Sequence, residues 1–174
     1  MTADLPTPLN GALASLYLPA RPFRPALTDR ALVLLDDGSQ LSRAQLEVLA
    51  EAGGSEVLLV DYIWDWDPGT QPVKVQPMDL REGYPPVPLR GGTAAEHALV
   101  AVDGSWAFLS NDYDIGALAG PPGLVAAVRE RFDEVDAAAA RYLLDEAPEW
   151  GPDLLAHLYG EGWEGRLGVD RPAV

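Results

Sequence analysis

The 174-residue chain reads as one α+β domain: a mixed or antiparallel sheet of four to six strands, with two or three helices packed mainly on one face. Three observations predict this. Compact apolar runs near residues 31–35 and 56–64 are closed by turn signals, the dipeptide Asp103-Gly104 sits between two apolar stretches, and apolar residues from Val128 to Tyr142 recur at helical spacing. With 48% hydrophobic and 22% charged residues, the composition is that of a globular protein, and the length predicts a single domain over 1–174.

Each element has its own signal. Residues 1–29 contain Pro6, Pro8, Pro19, Pro22 and Pro25, which forbid a long helix and predict an extended arm, with a short helical turn allowed between Gly11 and Leu18. Ala31-Leu-Val-Leu-Leu35, closed by Asp36-Asp-Gly-Ser39, predicts a buried strand. Ser42 and Gln45 then form a capping-box pair, Leu41 and Leu46 occupy the staple positions, and Gly53 supplies the stop of a helix. Glu56 to Trp64 follows as a second strand, so strand, helix and strand permit a right-handed parallel crossover. Between 67 and 92, Pro68, Pro72, Pro77, Pro85, Pro86, Pro88 and Gly91-Gly92 predict a long loop, with one edge strand near Val73 to Val75.

Asp103-Gly104 predicts a hairpin that pairs Ala101 with Trp106, Val100 with Ala107, Leu99 with Phe108 and Ala98 with Leu109. Both of its faces are apolar, which places it centrally in the sheet. Asn111 to Gly120 reads as a loop. Pro121 and Pro122 then open a helix whose stripe is Val128, Phe132, Val135, Ala139 and Tyr142, with Arg129–Asp133 and Arg141–Asp145 spaced as i,i+4 pairs and Pro148 as the end. Pro152 opens a last short helix bearing Leu154, Leu155, Leu158 and Tyr159, closed by Gly160.

Charge narrows the functions. Against 27 acidic residues stand 12 basic ones, a formal charge of −15, so direct binding of nucleic-acid phosphates is disfavoured. The absence of cysteine removes disulfides, thiolate zinc sites and thiol nucleophiles, and two histidines, His97 and His157, are too few for a histidine-rich metal centre. No leader-like or membrane-spanning run is present, which predicts a cytoplasmic protein. Lys74 is the sole lysine beside 11 arginines, a bias expected of a GC-rich bacterial coding sequence.

Several motifs bear weighing. In Asp61-Tyr-Ile-Trp-Asp65-Trp-Asp67, Asp65 and Asp67 would lie about 7 Å apart on an extended strand, close enough to share a hard cation or to act as acid and base. The blander reading is solvated acids opposite core aromatics. Asn111-Asp-Tyr-Asp-Ile-Gly116 resembles the start of a calcium loop, but no acid follows until Glu130, so a turn that caps local amides accounts for it with less assumption. Gly116, Gly120 and Gly123 precede a helix without a following Gly-Lys-Ser/Thr, which removes a phosphate loop. His97 opposes Ser110 across the hairpin; neither a nucleophile elbow nor an oxyanion loop accompanies the pair, so structural pairing is the preferred reading. Tyr84 before Pro85-Pro86-Val87-Pro88 is read as part of a rigid connector and not as a polyproline ligand.

Residues 142–165 hold six acids, Asp145, Glu146, Glu149, Asp153, Glu161 and Glu164, without a lysine or arginine, interleaved with Trp150, Tyr159 and Trp163. Aromatics among acids are the composition of an interface that meets a basic surface. The expected function is therefore a non-enzymatic binding protein without cofactor or metal. Its partner-binding residues are Asp65, Trp66, Asp67, Tyr84, Asp112, Tyr113, Asp114, Trp150 and Trp163. In size and composition the chain is similar to bacterial immunity proteins, a resemblance that covers no motif and implies a nuclease-type toxin as the basic partner. Two other classes compete. A metal-dependent hydrolase would gather Asp65, Asp67, Asp112 and Asp114 around a divalent cation; a homodimeric module would use the apolar hairpin and the Trp-rich C-terminal segment.

Overall fold

The computed structural model describes residues 7–15, 21–35, 40–61, 74–85, 96–111 and 113–170. In chain order its elements are α1 (Thr7–Ala12), β1 (Asp29–Leu34), α2 (Arg43–Gly53), β2 (Glu56–Asp61), β3 (Lys74–Asp79), β4 (His97–Ala101), β5 (Ala107–Ser110), β6 (Ile115–Gly120), α3 (Pro122–Arg131), α4 (Ala137–Glu146), α5 (Gly151–Tyr159) and α6 (Trp163–Leu167). The strands make one sheet in the order β1-β6-β5-β4-β2-β3, antiparallel at every pairing. This is an α+β domain. β1 and β2 are separated by three strands, so the chain does not use the parallel crossover that strand, helix and strand permitted.

The hairpin has the predicted register, with Ala98, Leu99 and Val100 opposite Leu109, Phe108 and Ala107. Its turn hydrogen bond runs from Gly104 N–H to Ala101 O at 2.8 Å, and Gly104 takes φ 73°, a left-handed conformation that glycine adopts without a Cβ penalty. Every residue of β4 and β5 is buried, because apolar side chains leave both faces of a central hairpin and helices cover each side. Those apolar faces are consumed within the chain.

Helices stand on both faces of the sheet, not mainly on one. Leu46, Leu49, Leu124 and Val128 of α2 and α3 pack against Leu59, Leu99, Phe108 and Leu118. On the other face Leu143, Leu154, Leu155 and Trp163 of α4 to α6, with Leu9 of α1, pack against Leu32, Val100, Leu109 and Ala117. At the start of α2 the Ser42 side chain accepts from Gln45 N–H while the Gln45 side chain accepts from Ser42 N–H, the predicted capping box.

Two departures from the sequence reading have clear causes. Residues 115–120 form β6, a strand where a loop was expected. Its glycines are there for space: a Cβ on Gly116 would lie 2.3 Å from the Phe108 ring, and one on Gly120 would lie 2.7 Å from the Trp106 Cβ. The expected single helix from 122 to 147 is broken at 132–136. There Leu34 N–H donates to Glu134 O and Asp136 N–H donates to Leu32 O, so the chain leaves the helix to pair with the edge of β1 and shield it.

Candidate functional site

The loop between β5 and β6 builds one corner of the molecule. Asn111, 1% exposed, accepts the Tyr113 N–H on its side-chain oxygen at 3.1 Å, an Asx turn that fixes the loop. Asp114 takes φ 55°, which an aspartate tolerates better than most residues, and its carbonyl accepts the Leu35 N–H at 2.9 Å. These bonds aim Tyr113 at Trp150, which precedes α5; the two rings meet edge to face with centroids 5.8 Å apart. Both rings are half-buried and keep surface toward solvent.

Negative charge surrounds this pair. Tyr142 of α4 has its phenol pushed above the ordinary tyrosine value, first by desolvation and then by the charges of Asp114 and Glu146, so two carboxylates from different elements bear on one ring. Asp145 and Glu146 occupy the last turn of α4, where the helix dipole is negative. Among the described residues Asp114, Asp145, Glu146 and Glu149 have no cation within 4.0 Å; the three ion pairs there are Arg43–Glu47, Arg129–Asp136 and Arg131–Glu51. The i,i+4 pairs expected for Arg129 and Arg141 are not made. Arg129 turns instead to Asp136 at 2.6 Å.

Tyr113, Asp114 and Trp150 are thus brought together, and Tyr142 and Glu146 join them. Tyr142 had been read as the end of a core stripe; its spacing of four from Glu146 was the available signal. Trp163 is not at the surface. At 1% exposure its ring lies in the core beneath α4 to α6, because the first turn of α6 points inward while Glu161, Gly162 and Gly165 face solvent. Tyr84 sits apart from the corner. It lines a groove of about 350 Å³ with Met78, Asp79 and Glu82, and its hydroxyl points inward to Leu41 N–H and to the His97 ring. Asp65, Trp66, Asp67 and Asp112 lie outside the described residues, so the four-aspartate metal arrangement does too. Among the described residues no group of three or more acidic or histidine side chains is placed to hold a metal ion.

Two polar clusters lie inside the fold. Ser110 Oγ is 2.8 Å from His97 Nδ1, and Tyr84 Oη is 2.6 Å from His97 Nε2, with His97 and Ser110 fully buried. On the β1 side the Tyr159 hydroxyl donates to Asp136 at 2.6 Å and accepts the Leu32 N–H at 2.8 Å, which ties α5 to the break between α3 and α4. Burial, then the Asp136 charge, holds the Tyr159 phenol well above its ordinary value, so it stays a donor.

No protein-family model, curated protein or solved structure matches this chain. No helix among the described residues is long and apolar enough to cross a membrane.

Proposed function

We propose that the chain is a non-enzymatic, cytoplasmic binding protein that docks a basic protein partner on the corner formed by Tyr113, Asp114, Tyr142, Glu146, Glu149 and Trp150. One observation carries this reading. Asp114 and Glu146, from different elements, both bear on the Tyr142 phenol, and Asp145 and Glu146 stand at the negative end of α4, with no cation within 4.0 Å of them among the described residues; the helix-end placement costs the isolated fold about 0.3–1 kcal/mol for each acid in that last turn. Local rules are broken in this way where a surface serves something other than folding. The Tyr113–Trp150 pair supplies the apolar contact area that acids alone lack, and its edge-to-face geometry leaves ring surface for an arginine or lysine stem. A nuclease-type toxin, whose active site must be positive to hold phosphates, is the kind of partner that fits, in keeping with the likeness in size and charge to immunity proteins.

The test is kinetic. Proteins retained from the native host by the wild-type chain and lost by Asp114→Asn/Glu146→Gln/Glu149→Gln identify the partner, and stopped-flow mixing then measures its association rate. That rate should fall about ten-fold or more as salt shortens the screening length below the width of the corner, and the triple variant should be slower and less salt-dependent. A rate indifferent both to salt and to the three neutralisations refutes the proposal.

A further inference from the structure

We infer that Pro77 guards the outer edge of β3, keeping a second copy of this chain from pairing with the sheet there. β3 ends the strand order, and among the described residues no strand lies beyond it. The opposite edge is treated differently: β1 is covered by residues 132–136, through Leu34 N–H to Glu134 O and Asp136 N–H to Leu32 O. Among the described residues no segment covers β3 in that way, and Lys74 and Pro77 are exposed on it. An uncovered edge strand is a template for another chain unless something in it refuses the pairing.

The ladder shows which backbone groups of β3 turn outward. Leu80, the residue after β3, donates its N–H to Ser55 O at 2.9 Å, one step beyond the pair Glu56 and Asp79. Antiparallel pairs alternate between those that exchange N–H and C=O bonds and those that do not, so Met78, Gln76 and Lys74 also direct their backbone groups at β2, while Asp79, Pro77 and Val75 direct theirs away. Asp79 agrees with this parity: its C=O accepts the Glu82 N–H at 3.0 Å, a bond to the following turn and not to β2.

A proline at this parity takes nothing from the fold, because the N–H it lacks would have faced outward; at Gln76 or Met78 it would have broken a bond to β2. What it takes away is the donor that an incoming strand needs. Two copies of β3 pairing antiparallel about a two-fold axis at residue 77 would set Val75 opposite Asp79 and Pro77 opposite its own copy, and that central pair has no N–H on either side. The ring Cδ stands where the hydrogen would be, so the facing carbonyl is left unbonded and also obstructed. Sliding the copies by two residues sets Pro77 opposite Val75, and each such pair still lacks one N–H. The net charge of −15 repels a second copy as well, but salt screens that repulsion and leaves the proline as it is.

The inference does not depend on the acidic corner and is tested apart from it. The full chain is followed by sedimentation velocity in about 0.5 M sodium chloride, where the screening length is only about 4 Å. Pro77→Val and Pro77→Thr, each of which restores the outward N–H, should dimerise with a Kd at least about ten-fold below that of the wild type. In both variants the Val75 and Asp79 amides should exchange more slowly with solvent as protein concentration rises, read by NMR. Val75→Pro/Pro77→Val moves the proline to another outward position and should lose most of the gained association. The inference is overturned if both single variants sediment as the wild type does, if they associate without slowing those two amides, if the relocated proline leaves the association undiminished, or if the wild type itself dimerises with the two amides protected.

Discussion

Replacing Trp106 by alanine is expected to cost the fold about 4 kcal/mol, the loss typical of a large aromatic removed from a packed core. Trp106 is 1% exposed and stands where four elements meet. Its Nε1–H donates to Gly53 O, in the last residue of α2, at 2.8 Å. A Cβ on Gly53 would lie 2.7 Å from Nε1, and one on Gly120, at the end of β6, would lie 2.7 Å from the Trp106 Cβ. Leu124 of α3 is within contact of the same two glycine positions. The two glycines thus open a slot for the side chain, Gly53 at the indole edge and Gly120 at the Cβ, and truncation leaves both an empty slot and an unmet carbonyl. The midpoint of urea unfolding should fall by about 2 M if the slope is near 2 kcal/mol/M. Trp106→Phe, which refills most of the slot, should recover more than half of the loss. A deficit below about 1 kcal/mol for the alanine variant would mean that the indole is not held as described.

That slot shows what the sequence could and could not disclose. The capping box of α2, the hairpin register and the stop of α5 at Gly160 depend on residues within a few positions of one another, and short-range patterns carry that information. β6 depends on residues far apart. Ile-Gly-Ala-Leu-Ala-Gly looks like a loop until Phe108 and Trp106 are placed over Gly116 and Gly120, and nothing local announces those rings. The break before α4 is of the same kind: a helical stripe running through 132–136 is overridden by hydrogen bonds to β1 that the stripe cannot foretell. At the acidic corner, Tyr113, Asp114 and Trp150 were legible because their residue types are unusual in their surroundings. Tyr142 was not, since a tyrosine at a stripe position has the same spacing whether its hydroxyl end meets the core or two carboxylates. Trp163 failed in the opposite sense: flanking acids and glycines signal a surface segment, yet a single inward-facing ring suffices to anchor α6.

His97→Ala should cost about 3–4 kcal/mol, more than its size alone predicts, because it strands partners on both sides of the ring. One assignment of donors and acceptors accounts for these contacts. Tyr84, whose phenol burial holds far above its ordinary value, keeps its proton and donates to Nε2 at 2.6 Å while its oxygen accepts the Leu41 N–H at 3.4 Å. Nδ1–H then donates to Ser110 Oγ at 2.8 Å, and the serine hydroxyl donates to the His97 carbonyl at 3.3 Å. In this arrangement the serine proton is directed at a backbone carbonyl and not at the imidazole, so the pair couples β4 to β5 and Tyr84 to both. Tyr84→Phe should cost about 1–2 kcal/mol and Ser110→Ala about 1 kcal/mol. The decisive measurement is the double-mutant cycle. If the chain is continuous, His97→Ala and Tyr84→Phe together should fall short of the sum of their separate losses by about 1 kcal/mol or more in chemical denaturation. Strict additivity would show that the hydroxyl and the ring do not share a hydrogen bond, and that the turn at 80–85 is held to the sheet by packing alone.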